Sequence, residues 1–202
     1  DPVLEDFWTN LNKEYLMEKL KEKGVSIVMG FNYSLYHGDP RMEHLINIRR
    51  CFEIMERAQR VGLKAIPDIC WHNSADIEQF VSWINANKVT TVSTSTQCCR
   101  ENSYIAKNIY DLDYLTAKCP DVKRWIINGP STPSRIRLFA QRFPKMVLMS
   151  SRACQLAKYN MVWDYKCNEY VKCVAEDGSL INRAEAFKLN CRFFDDVVAG
   201  EG

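Results

Sequence analysis

Residues 64–97, KAIPDICWHNSADIEQFVSWINANKVTTVSTSTQ, decide the fold. The apolar run Lys64–Cys70 reads as a strand and leads through His72-Asn73-Ser74 into a segment of helical period. Asn73 or Ser74 can cap the free N–H groups of that helix, and Ile77, Phe80, Val81 and Ile84 fall on the stripe that faces a core. Val89–Ser95 follows, β-branched and therefore stiff in the extended form, and reads as the next strand. Strands and helices alternating through short links demand a parallel sheet with right-handed crossovers.

The alternation continues in both directions. Upstream, residues 4–23 carry Leu4, Phe7, Trp8, Leu11, Tyr15 and Leu20 at helical spacings, with Gly24 as a stop. Val25–Tyr33 reads as the first strand, and Gly38-Asp39-Pro40 turns the chain into a helix with Leu45, Ile48, Phe52 and Met55 on its inner stripe and His44 solvated. Downstream come a helix at Ser103–Lys118, a strand at Arg124–Asn128, a helix opened by Thr132-Pro133, a strand at Lys145–Met149 and a helix at Arg152–Tyr159. Beyond Asn160 the period weakens. Met161–Asp164 and Glu169–Val174 read as short strands, the first as a sixth unit of the repeat, with a turn at residues 176–179, a helix at Asn182–Leu189 and a frayed end from Val197.

The fold class is therefore α/β. No glycine-rich dinucleotide fingerprint follows the first strand, and a complete eight-unit barrel needs ~250 residues. Five to six βα units in 202 residues predict an incomplete or distorted TIM-like barrel. It forms one domain: an N-terminal helical segment over 1–24, the repeats over 25–160 and an irregular C-terminal extension over 161–202. A net charge of +2 neither requires nor excludes a nucleic-acid partner. No run is long and apolar enough for a membrane span, the first residues are not a signal peptide, and the chain starts without Met as a processed or trimmed product does. The 9 cysteines show no CxxC and no zinc or iron–sulfur spacing, so buried reduced thiols in a cytoplasmic setting are expected, with no metal and no cofactor.

In parallel α/β folds ligands gather where the strands end. Those ends here are polar. Asp39 and His37 follow the first strand, and Asp68 and His72 the second. Two carboxylates and two imidazoles on adjacent strand ends would share a pocket and could serve as acid, base, nucleophile or metal ligands. Asp39 is also an ordinary turn residue before Pro40, and His72-Asn73 an ordinary helix start. Asp68 follows Pro67 inside an apolar strand, so it should be partly buried and needs a partner. Trp71 could stack on a planar ligand. Ser93, Ser95 and Gln97 offer hydroxyl and amide groups to a base or sugar edge, although strand propensity explains the Ser/Thr run equally well. Asn128, Gly129, Ser131 and Arg135 form a turn opening a helix, which suits a phosphate and equally suits simple capping. Ser150 and Arg152 follow the next strand as a further anion contact. No GxSxG elbow, Walker loop or HExxH is present.

Several of these pieces together resemble a known family. They are Ile66-Pro67-Asp68 with Trp71, Val92–Gln97, Gly129-Pro130-Ser131 with Pro133-Ser134-Arg135-Ile136, and Ser150-Ser151-Arg152 before Ala157-Lys158-Tyr159. The run from Ile66 to Tyr159 resembles the barrel of the queuine tRNA-ribosyltransferase-like superfamily, especially its divergent phage- and plasmid-borne members. Phe31-Asn32-Tyr33-Ser34-Leu35-Tyr36 and Asp39-Pro40-Arg41 are similar to those members in particular. The zinc-binding Cys-x-Cys-x-x-Cys of the tRNA enzymes and their glycine-pair base loop are missing. The resemblance implies base exchange on a nucleic acid, with Asp68 as nucleophile or base and Asp39 or His72 as proton donor. The hydroxyl cluster would meet the base and Arg135 and Arg152 the phosphates, with Asn32 and Trp71 as further substrate contacts. A non-catalytic phosphate- or protein-binding module on the same fold is the alternative, and a metal-dependent hydrolase using His37, Asp39, Asp68 and His72 a third.

Overall fold

In the computed structural model, which describes residues 2–9, 13–31, 33–36, 38–97, 101–167, 169–175 and 178–200, the extended run after Lys64 is two strands rather than one. Pro67 divides it, because proline has no N–H to give to a ladder. Before it, β2 (Lys64–Ile66) pairs in parallel with β1 (Ile27–Met29), Met29 opposite Ile66. After it, β3 (Asp68–Ile69) pairs in parallel with β4 (Thr91–Ser95), Asp68 opposite Ser93. The Pro67 carbonyl accepts the Ser93 N–H at 2.8 Å, so the residue that cannot donate still joins its neighbour as an acceptor. On its other side β4 is hydrogen-bonded to β5 (Arg124–Asn128).

The chain is mixed α/β and divides into two compact units, Asp1–Ile127 and Asn128–Gly202. In the first, α1 (Pro2–Thr9) and α2 (Lys13–Glu22) precede β1, and α3 (Arg41–Arg60) joins β1 to β2. Met17, Val28, Tyr33, Cys51, Ile54, Ala58 and Leu63 form a buried core here. The inner stripe of α3 is therefore His44, Cys51, Ile54 and Ala58, not the expected Leu45, Ile48, Phe52 and Met55. Leu45 is exposed and the other three are half-buried. One residue turns a helix by ~100°, and α3 carries apolar groups on both stripes. Cys51, Ile54 and Ala58 pack in one core with Val28 and Leu63, which leaves the bulkier Phe52 and Met55 on the flank. His44, expected in solvent, is 2% exposed, and its Nε2 lies 2.8 Å from the Tyr36 carbonyl.

Helix α4 (Ser74–Ala86) starts at Asn73, whose side chain accepts the Asp76 N–H while Asp76 accepts the N–H of Asn73. This reciprocal cap is the one the Asn-x-x-Asp spacing allows. Its inner side is Asp76, Ile77, Phe80 and Ile84, and α5 (Asn102–Lys118) then connects β4 to β5.

In the second unit, α6 (Pro133–Arg142), β6 (Val147–Met149) and α7 (Arg152–Lys158) follow the expected order. The continuation does not. β7 (Met161–Asp164) pairs antiparallel with β8 (Glu169–Lys172), so it is one arm of a hairpin and not a sixth parallel unit. Helix α8 (Arg183–Ala199) runs ten residues past the expected Leu189, through the segment read as frayed. Its inner side is what orders it: Val197 is 1% exposed and packs with Phe193 and Ile136, and Trp163 stacks on Phe193 at 4.8 Å. Gly200 closes the helix in the left-handed conformation.

The described cysteines are free thiols, Cys51 and Cys119 buried, but Cys154 and Cys167 are exposed, against the expectation of burial. Cys98 and Cys99 lie outside the described residues. Among the described residues no helix is long and apolar enough to cross a membrane.

The cap of α4 gives a direct test. Asp76→Ala removes the partner of Arg41 and of two backbone N–H groups and should cost on the order of 2–3 kcal/mol, against about 1 kcal/mol for Asn73→Ala. Urea denaturation of the two variants measures both values, and equal losses would contradict the assignment of Asp76 as the hub.

Candidate functional site

Asp68 stands where β3 begins, 7% exposed, and its Oδ1 accepts a hydrogen bond from Ser93 Oγ at 2.7 Å. Ser93 is fully buried, and its hydroxyl also lies 3.2 Å from the Pro67 carbonyl. The pair follows from register, since parallel pairing sets residues 68 and 93 side by side. Gly30 closes the other flank: a Cβ built there would meet Asp68 Cβ at 3.0 Å and Asp68 N at 3.1 Å. Burial pushes the Asp68 carboxyl from 3.8 up to about 6, with the Ser93 hydrogen bond opposing it. A carboxyl in that range exchanges protons near neutral pH, as a general acid or base must.

A second carboxylate is tuned in the opposite direction. Burial would raise Asp76, but the Arg41 guanidinium and the N–H groups of His72 and Asn73 outweigh it and hold Asp76 below its ordinary value. Arg41 Nη1 reaches Asp76 Oδ2 at 2.9 Å, and its Nη2 pairs with Oδ1. The N–H of His72 donates to the same carboxylate at 3.0 Å, and its ring lies 4.2 Å from that of His44. Trp71 is half-buried and fixed, its indole N–H donating to Asp111 Oδ2 at 2.7 Å, with Lys107 Nζ at 2.7 Å from the same oxygen. Cys70 adjoins this group. A hydrogen bond with the Cys51 thiol, then burial, keep the Cys70 thiol well above its ordinary value and so protonated.

The expected residues are thus only partly gathered. Asp68 and Ser93 touch, and His72 and Trp71 follow them on the same connection into α4. Asp39 is half-buried in the turn before α3, where its N–H donates to the Tyr36 carbonyl, and it makes no hydrogen bond to Asp68. Ser95 Oγ accepts the N–H of the exposed Gln97 at 3.3 Å. Asn32 and His37 lie outside the described residues. Among the described residues no three His, Cys, Asp or Glu side chains gather as a group that could hold a metal ion.

In the second unit the turn at Asn128–Arg135 is used for capping. Thr132 Oγ1 accepts the Arg135 N–H at 3.4 Å, Pro133 opens α6, and Gly129 sits at φ 114° with its N–H on the Met149 carbonyl. Ser131 is half-buried. Ser150 Oγ accepts the Arg152 N–H at 3.2 Å, and the Arg152 guanidinium lies over the Tyr170 ring at 5.2 Å. Sequence reasoning missed Arg41, His44, Asp76, Lys107 and Asp111. Two signals were readable: the Asn73-x-x-Asp76 capping spacing and the Lys107–Asp111 pair one helical turn apart.

No protein-family model matches this chain, and no curated protein matches it.

The raised Asp68 fixes the sign of a pH effect. A carboxyl that holds its proton more tightly folded than unfolded makes stability fall as pH rises from about 4 towards its folded value of about 6. Above that the native state carries the whole penalty of a buried charge, about 3 kcal/mol. Asp68→Asn keeps an acceptor for Ser93 and removes the charge. The variant should therefore be more stable than the parent above pH 7, by up to about 3 kcal/mol, and the gain should vanish near pH 4. Thermal melts at both pH values check this, and a loss of stability at pH 8 would refute it.

Proposed function

We propose that the chain is an enzyme of the transferase class that exchanges a nucleobase on a nucleic acid or nucleotide, with Asp68 as its reacting carboxylate. The observation that carries this reading is the Asp68–Ser93 pair: a nearly buried carboxyl with a value about 6, hydrogen-bonded at 2.7 Å, on adjacent parallel strands. Ionised near neutral pH yet more basic than a solvated carboxylate, it suits attack on an anomeric carbon. Its oxygen would bond to C1′ as the glycosidic C–N bond breaks, and the departing base would take a proton from His72 or Asp39. An incoming base would then displace the carboxylate. Ser93 orients the oxygen, and Trp71, held by Asp111, presents a fixed indole. A phage- or plasmid-borne role in nucleic-acid modification follows from the resemblance.

An incomplete (β/α) barrel belongs to the same reading. What supports it is strand order: β1 neighbours β2, and β3, β4 and β5 are neighbours in chain order. Barrel walls run in this sequence, whereas a doubly wound sheet reverses at a switch point.

The test is incorporation of labelled guanine or a 7-deazaguanine into DNA and RNA. The parent chain should incorporate label, and Asp68→Asn should lose at least ~100-fold, about 3 kcal/mol of barrier, while staying folded. Ser93→Ala should keep activity but move the acidic limb of its pH profile upward, because the Ser93 hydrogen bond lowers the Asp68 value. Label incorporation by Asp68→Asn at the parental rate would end this assignment.

A further inference from the structure

The split at Pro67 leaves an open space before it. A groove of about 690 Å³ lies between the entry ends of β2 and β4, walled by α3 and α4. This volume is in the range of small-molecule sites. Phe52 and Met55, the residues that α3 turns away from the core, line it together with Trp83, whose ring meets Phe52 edge to face at 4.8 Å. Its charges are unbalanced. Arg49 and Glu56 satisfy each other at 3.2 Å, whereas Lys64 and Lys88 are exposed and form no ion pair among the described residues.

Lys88 also holds an unfavourable backbone. It follows the end of α4 at φ 50°, in the left-handed region. The equivalent turns after α2, α3 and α8 use Gly24, Gly62 and Gly200, the residue that adopts this conformation without a Cβ clash. Among the described residues the other non-glycine there is Asn160, which tolerates it. Lys88 thus stands where glycine would be easier, in the lining of a groove whose two lysines form no ion pair among the described residues.

We propose that this groove binds a planar aromatic molecule bearing an anionic group, the ring against Trp83 and Phe52 and the anion between Lys64 and Lys88. Nucleotides and aromatic carboxylates share that chemistry, so calorimetric titration with AMP and with 2-naphthoate separates the sources. Adenosine and inorganic phosphate supply the ring and the charge alone. Binding of AMP or of naphthoate, at least ~10-fold tighter than adenosine or phosphate, is the expected result. Lys64→Gln and Lys88→Gly should each weaken it about 10-fold. Lys88→Gly is the decisive variant, because relief of the left-handed strain should raise its melting temperature by ~2–4 °C while binding falls. Asp68→Asn should bind as the parent does, which separates this groove from the proposed reaction. Neither probe binding, phosphate binding as tightly as AMP, or unchanged affinity in Lys88→Gly would overturn the proposal.

Discussion

The missing N–H of Pro67 is the constraint on which the first unit depends. One extended run serves two partners, β1 before the proline and β4 after it, because the ladder cannot pass through that residue. The change of partner has two results. Before the proline, β2 and β4 part and a groove opens between them. After it, Asp68 enters a new ladder directly opposite Ser93. The carbonyl of Pro67 accepts the N–H of Ser93, so the same residue that breaks one pairing anchors the next.

The two buried carboxylates of this unit have opposite effects on stability. Asp76 is nearly fully buried but meets a guanidinium and backbone N–H groups, and its charge favours the folded state. Asp68 is buried almost as deeply with a neutral hydroxyl as its hydrogen-bond partner, and its charge opposes folding. Stability alone would place an amide or an apolar group at residue 68. A carboxyl in that position is one that folding resists, the pattern expected of the reacting group proposed above.

Much of the architecture was legible because it is local. Arg124–Asn128 matches its strand residue for residue, Thr132-Pro133 opens α6, and Asn73 caps α4. What failed depends on distant partners. The rotation of α3 is set by which of its residues join the core of Val28 and Leu63, and the period of α3 alone fits either of two stripes. The antiparallel turn of β7 onto β8 and the length of α8 depend on packing of Trp163, Phe193 and Val197. The site divides in the same way. Asp68 stood out as a polar residue in an apolar strand, whereas Trp71 and Asp111 meet across 40 positions of sequence and Arg41 and Asp76 across 35.

Gly30 bears on how kinship with this chain is to be recognised. Its Cα faces Asp68 so closely that one added methyl group would displace the carboxylate or the strand that carries it. The position of the acid is thus set from outside its own ladder, by a residue that has no side chain. A search on the aspartate alone would gather every α/β protein with an acid after a strand. A glycine just after the first strand, a Pro-Asp dipeptide 37 positions later and a serine 25 beyond the aspartate describe this geometry as one signature.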